Sequence, residues 1–211
     1  MKAAICLNGE PPRAELLYHL SDAFVCACDG ALDWLERAGV RADLLLGDFD
    51  SLAGGADAAR EKGIETLSYP AHKDFTDGEL ALNVLLERGF DEFVFLGGGG
   101  GRDDHFYFNL YLLYRAWKAG KKAVFVTNCC DIYLFEGEIS LPTRAGQTIS
   151  LAPYFESVHI IELDGLEYPL VRRTLHAGES LGVSNVALGD RITVRAESGT
   201  AILFLSNAIS R

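Results

Sequence analysis

Leu44-Leu45-Leu46-Gly47-Asp48-Phe49-Asp50-Ser51 is the stretch whose reading decides the fold. Three leucines in succession predict a short buried strand, and glycine followed by aspartate marks where a strand gives way to a loop. The same pattern recurs outward from it. Ala3–Leu7 and Phe24–Cys28 read as strands before it, and Glu65–Tyr69, Asp91–Leu96 and Ala123–Thr127 read as strands after it. Helical stretches fall between them: Arg13–Leu20, Leu32–Glu36 stopped by Gly39, Ala53–Lys62, a run from Thr76 stopped by Gly89, and Asn109–Ala119 closed by Gly120. Strands alternating with helices predict a mostly parallel, Rossmann-like sheet with helices on both faces.

Beyond Asn128 the texture changes. Ile132–Ile139 has a turn near its middle, and Thr148–Leu151, Val158–Leu163, Ile192–Ala196 and Ala201–Leu205 are short strand candidates with no long helix among them. The expectation is an α/β domain over residues 1–128 and an all-β sandwich or partial barrel over 129–211. A chain of 211 residues, 49% apolar, has length and composition for such cores.

The formal net charge of -11 argues against nonspecific contact with nucleic acid or an anionic membrane surface. It leaves nucleotides open, because a cation can bridge phosphates to carboxylates. No apolar run reaches membrane-spanning length and no signal-peptide pattern opens the chain. The five cysteines, Cys6, Cys26, Cys28, Cys129 and Cys130, lack framework spacing, so mostly buried thiols in a reducing, cytoplasmic setting are expected.

Parallel sheets bind ligands beyond the carboxyl ends of their strands. Three motifs sit there. Asp48 and Asp50 could converge on one hard cation or form a solvated Asx turn. Lys73-Asp74-Phe75-Thr76-Asp77 enters a helix: Thr76 or Asp77 could cap it, Lys73 could balance carboxylates or reach a phosphate, and Asp74 could complete a metal shell. Gly97 through Gly101, then Arg102-Asp103-Asp104-His105, is the sharpest signal. Glycines let backbone N–H groups approach a phosphate, and Arg102 offers a planar cationic fork. The run has neither the Lys-Ser/Thr end of a P-loop nor the placement of a dinucleotide fingerprint. By themselves these residues predict a metal-dependent enzyme acting on a phosphate anhydride, with the acceptor open. Trp34 reads as packing, His105 as either a structural histidine or a contact, and Tyr168 as core or ligand wall. Tyr107, Phe108 and Tyr111 are expected to divide between core and interface.

The ordered set Leu46–Ser51, Lys73–Asp77 with Ala81-Leu82, and Gly97–His105 with Asn109 resembles the thiamine pyrophosphokinase family. The second half resembles it too, in Gly146-Gln147-Thr148-Ile149-Ser150-Leu151-Ala152-Pro153, in Gly165-Leu166-Glu167-Tyr168-Pro169-Leu170, and in Ser184-Asn185. The resemblance implies transfer of diphosphate from ATP to the hydroxyl of thiamine, with release of AMP, Mg²⁺ dependence and a homodimer. It implies ATP on residues 1–128, and thiamine binding and dimerisation involving 129–211. By motif position it makes Asp48, Asp50, Asp74, Asp77, Arg102 and Asp104 catalytic candidates, with Asp48, Asp50, Asp74 and Asp104 toward metal. Gly30, Lys73, Gly98, Gly100, Gly101, Arg102, His105 and Asn109 become nucleotide contacts. Asp77, Tyr168, Ser184 and Asn185 become thiamine contacts. Asp103 departs from the family pattern, which often has an apolar residue there, and the loop is glycine throughout from Gly97 to Gly101 where relatives often carry other small residues or Thr. A hydrolase or transferase using another nucleotide or alcohol, and a ligand-binding regulator without turnover, remain competing readings.

Overall fold

The computed structural model describes residues 1–49, 55–70 and 74–207. It divides into two compact units, Met1–Asn128 and Cys129–Arg211.

The first unit carries strands β1 (Lys2–Cys6), β2 (Phe24–Cys28), β3 (Leu44–Gly47), β4 (Glu65–Ser68), β5 (Glu92–Leu96) and β6 (Lys122–Val126). They run in the order β6-β5-β1-β2-β3-β4, and every pairing is parallel. The chain adds β2, β3 and β4 on one side of β1, then returns to add β5 and β6 on the other. A crevice opens at such a reversal, between the carboxyl ends of β1 and β5.

The side-chain alternation of the strands separates two cores. Ala4, Cys6, Val25, Ala27 and Val94 pack with a 3-10 helix (Ala14–Leu20), with α1 (Ala31–Arg37) and with Ala59 of α2 (Gly55–Glu61). Ile5, Cys26, Leu44, Phe93 and Phe95 are also buried, and α3 (Asp77–Glu87) and α4 (Asp103–Lys118) cover the sheet with their own buried Ala81, Leu82, Leu85, Leu112 and Ala116. Trp34 is buried, as its packing role predicts, and its indole N–H also donates to the Leu7 carbonyl at 3.2 Å.

α4 begins at Asp103, six residues before the expected Asn109 start. The glycine run reads as loop and masks the boundary, but Asp103 and Asp104 complement the positive end of the helix dipole and belong to its first turn. Tyr107 and Phe108 are exposed on this helix, so neither enters the core.

The second unit contains β7 (Cys130–Phe135), β8 (Glu138–Pro142), β9 (Thr148–Pro153), β10 (Val158–Asp164), β11 (Val171–Leu175), β12 (Asn185–Val186), β13 (Arg191–Ser198) and β14 (Ala201–Ser206). One antiparallel set runs β12-β9-β14-β7 and another β11-β10-β13-β8. Both sets contribute to one core through Phe135, Leu151, Ile160, Leu175, Val194 and Leu203. β11 was not expected from the sequence, because Val171-Arg172-Arg173-Thr174 is exposed or half-buried and lacks apolar alternation. Of the cysteines, Cys6, Cys26 and Cys28 are buried, whereas Cys129 is exposed. No helix among the described residues is long and apolar enough to cross a membrane.

Candidate functional site

A cleft of about 860 Å³ lies at the carboxyl ends of β1, β2, β3 and β5. Its floor and walls come from four backbone turns and two helix starts, each positioned by a local feature of the sequence.

The first wall is the glycine run. Gly97 sits at φ +69°, and a Cβ there would fall 2.4 Å from the Leu7 carbonyl oxygen. Only glycine permits that approach. The Gly97 carbonyl accepts from the Gly9 N–H at 2.7 Å, and the Gly99 carbonyl from the Glu10 N–H at 2.8 Å. The Gly98 carbonyl accepts from Asn109 Nδ2 at 3.1 Å. With three successive carbonyls committed to donors outside the run, the N–H groups of Gly98, Gly99 and Gly100 lie across each trans peptide plane from those bonds.

The second wall is the Asn8-Gly9-Glu10 loop after β1. It lines the cleft and is latched to the glycine run by the two backbone bonds above. Asn128 secures its far end: Oδ1 accepts the Arg13 N–H at 2.8 Å, and Nδ2 donates to the Pro11 carbonyl at 3.1 Å. Gly30 is not part of the lining. A Cβ at Gly30 would meet the Asn8 side chain at 2.7 Å, so the glycine makes room for Asn8.

The third wall is acidic. Asp48 follows β3 and Asp77 opens α3, and both line the cleft. Asp29, at the end of β2, lines it as well and was not among the expected site residues. The signal that could have found it was an aspartate directly after a strand and before glycine, as at Asp48 reversed. Asp74 is exposed and outside the lining. Asp50 and Lys73 lie outside the described residues.

Thr76 caps α3: its Oγ1 accepts the Glu79 N–H at 3.2 Å while Glu79 Oε2 accepts the Thr76 N–H at 3.1 Å. That reciprocal box resolves the cap in favour of Thr76 and leaves Asp77 in the first helical turn. Glu79 Oε1 also accepts from Arg115 Nη1 at 2.6 Å, tying α3 to α4. Gly78 permits the close packing beneath, since a Cβ there would meet Leu112 and Leu7 methyls at 2.9 Å.

At the start of α4, Arg102, Asp104, His105 and Asn109 all line the cleft. The Arg102 fork holds Asp104, Nε on Oδ1 at 3.1 Å and Nη2 on Oδ2 at 2.5 Å. These hydrogen bonds bring the Asp104 carboxyl down to about 2. Cys28 also lines the cleft, but its contact with Cys26 and its burial push the thiol well above its ordinary range. It stays protonated at neutral pH and is a poor nucleophile.

Among the described residues no group of three His, Cys, Asp or Glu side chains forms a metal cage. Asp48 and Asp77 instead offer hard oxygen donors to an open cleft. That suits a cation held by one or two carboxylates and completed by water and substrate phosphates, as Mg²⁺ commonly is.

In the second unit, Asn185 is buried and its amide is engaged with the backbone of Tyr168. The Tyr168 ring itself is exposed. Ser184 adopts φ +60° and its N–H donates to Ser150 Oγ at 3.0 Å.

Residues 16–125 match the family model described as thiamin pyrophosphokinase, catalytic domain, and residues 136–201 match the thiamin pyrophosphokinase, vitamin B1 binding domain. The thiamine pyrophosphokinase of Bacillus subtilis is 34% identical over 175 residues, spanning 82% of each chain. A crystal structure of thiamine pyrophosphokinase from Bacillus subtilis superposes with a TM-score of 0.86 at 27% identity, covering 99% of this chain and all (100%) of that one. One from Geobacillus thermodenitrificans gives 0.84 at 26% identity, covering 100% of this chain and 99% of that one.

Proposed function

The chain belongs to the thiamine pyrophosphokinase family, and from that premise we propose that it transfers diphosphate from ATP to the hydroxyl of thiamine, yielding thiamine diphosphate and AMP. The observation that carries this reading is the glycine run with its carbonyls tied back, facing a cleft shared with Asp48, Asp77 and the amino-terminal ends of α3 and α4. Backbone donors and helix amino termini favour phosphate, and carboxylates across the cleft favour the cation that accompanies it.

The thiamine hydroxyl oxygen bonds to the β-phosphorus of ATP, and the bond from that phosphorus to the oxygen bridging it to the α-phosphorus breaks, so AMP departs. The hydroxyl proton passes to a carboxylate. Of the candidates Asp50, Asp74 and Asp77, Asp77 is the one described in the cleft lining, which favours it. Asp48 would hold Mg²⁺, which when bound supplies charge neutralisation at the phosphates. Arg102 exchanges part of its fork from Asp104 to phosphate oxygens and stabilises the charge that develops there. Gly98, Gly100 and Gly101 contribute backbone contact, Asn109 holds the run in shape, and His105 stands at the rim. Lys73 and Asp50 remain proposed members of this set by motif position, and Asp74, exposed outside the cleft lining, a proposed peripheral one. The protonated Cys28 thiol speaks for direct transfer rather than a covalent cysteinyl intermediate.

Nucleotide binding is assigned to residues 1–128, and dimerisation and thiamine contact to 129–211, the contact through Tyr168 and Ser184, with Asn185 acting through the Tyr168 turn that its amide holds. Exposed Leu181, Val183 and Leu188 support a homodimer through the second unit. The cysteine pattern supports the cytoplasm.

Incubation of the pure protein with ATP, Mg²⁺ and thiamine tests the reaction. Equal amounts of AMP and thiamine diphosphate are expected. Orthophosphate without a diphosphate product would replace the reading with hydrolysis, and binding without turnover would replace it with a regulator.

A further inference from the structure

Asp29 stands at the end of β2 in the left-handed region, at φ +51°. A non-glycine residue holds that conformation only where its surroundings determine it. Here the Asp29 N–H donates to the Leu46 carbonyl at 2.9 Å, joining the end of β2 to the end of β3. Its Oδ1 accepts the Phe49 N–H at 3.1 Å. A Cβ at Gly47 would fall 2.4 Å from that same Oδ1, so residue 47 must be glycine for the carboxylate to enter the turn. The Gly47 carbonyl accepts the Tyr69 N–H at 2.9 Å from the opposite side. Phe49 is itself left-handed at φ +63°, with its ring packed against the core. Asp48, between these two clamped residues, lines the cleft.

We propose that Asp29 is a positioning residue for Asp48: its carboxylate oxygen holds the Gly47-Asp48-Phe49 turn in the one shape that presents the Asp48 carboxylate to the cation and phosphates. This rests on the diphosphate-transfer reading above for what Asp48 does, although the turn itself does not depend on it. The role requires an acceptor at Oδ1 and a residue that tolerates positive φ; it does not require the negative charge.

Two variants separate these requirements. Asp29→Asn keeps the acceptor and the tolerance for positive φ but loses the charge. Asp29→Gly keeps the backbone conformation without strain and loses the acceptor. Each is read by hydrogen exchange at the Phe49 amide without substrates, by the Mg²⁺ concentration for half-maximal turnover, and by kcat and KM for thiamine. Asp29→Asn is expected to keep the Phe49 amide protected and to stay within about threefold of the parent. Asp29→Gly is expected to expose that amide and raise the half-saturating Mg²⁺ concentration by about tenfold or more, as loss of a residue orienting a ligand does, with KM for thiamine unchanged. A protected Phe49 amide in Asp29→Gly overturns the proposal. So does Asp29→Asn failing as badly as Asp29→Gly with its Phe49 amide still protected, because the charge would then act directly. Parent protein that makes no thiamine diphosphate would refute the reaction while the exchange result still decides the role of Asp29 in the turn.

Discussion

Asn185 holds Tyr168 by both of that residue's backbone polar groups: Oδ1 accepts the Tyr168 N–H at 3.0 Å and Nδ2 donates to the Tyr168 carbonyl at 2.7 Å. The same Oδ1 accepts the Val186 N–H at 2.9 Å. Two segments that read as separate signals along the chain are therefore one feature, in which a buried amide fixes a turn and leaves the tyrosine ring open to solvent.

Asn185→Ala strands the two Tyr168 groups and the Val186 N–H. The expected cost is about 2–3 kcal/mol, since each buried group left unpaired costs about 1–3 kcal/mol and part of the turn relaxes into water. Urea denaturation of the variant measures it. With the turn loosened, KM for thiamine is expected to rise more than kcat falls; a change in kcat alone would detach this turn from thiamine binding.

Arg102→Gln removes the fork that holds Asp104 near 2. The Asp104 carboxyl should return toward the ordinary aspartate range of about 3.9, observable by carbon NMR titration. The native value is depressed, so the pair's contribution is present above the unfolded aspartate value and is lost as pH falls from there toward about 2. Both side chains are largely open to solvent, so the melting temperature at pH 7 should be nearly unchanged. KM for ATP should increase.

Gly97→Ala and Gly101→Ala both place a side chain at positive φ, +69° and +77°, but their surroundings differ. At Gly101 nothing lies within 4 Å of the added Cβ, and the expected cost is the backbone strain of about 1–2 kcal/mol. At Gly97 the Cβ also collides with the Leu7 carbonyl. That variant should be the less stable of the two and should lose ATP binding. Thermal melts with and without ATP give the ranking, and equal losses would contradict it.

Asp77→Asn and Asp48→Asn should each lower kcat by about 10² or more, the scale of a lost proton acceptor or cation ligand, with the fold intact by circular dichroism. Asp74→Asn should be much milder, because Asp74 stands outside the cleft lining. Steady-state kinetics of the three variants at saturating Mg²⁺ decides this, and an inactive Asp74→Asn would return Asp74 to the reacting centre.

The strand and helix alternation of the first unit was legible because most of its strands are short apolar runs closed by a glycine, asparagine or aspartate, as at Leu44–Gly47. The start of α4 was not, since five glycines predict a loop whatever follows them, and the helix dipole that recruits Asp103 is a property of the formed helix. β11 escaped for the opposite reason: an exposed Val-Arg-Arg-Thr segment becomes a strand only by pairing with β10. At the site, Asp48, Asp77, Arg102 and the glycines carried their own chemical signals. Asn8 and Glu10 did not, because each acts on a partner distant in sequence, and Asp29 carried only its place directly after a strand and before a glycine.

By itself the sequence determined the order of elements in the first unit, the acidic and glycine-rich strand ends, and the family to which those motifs belong. These are local matters of apolar period, turn chemistry and charge, readable within a few residues. Only the tertiary structure decided which strand ends meet. Parallel pairing of β1 with β5 brings Gly9 and Glu10 onto the carbonyls of Gly97 and Gly99, and pairing of β2 with β3 brings Asp29 onto Phe49. Parallel neighbours are joined through long crossovers, so the residues that shape the cleft lie far apart along the chain, and backbone hydrogen bonding of the finished sheet is what unites them.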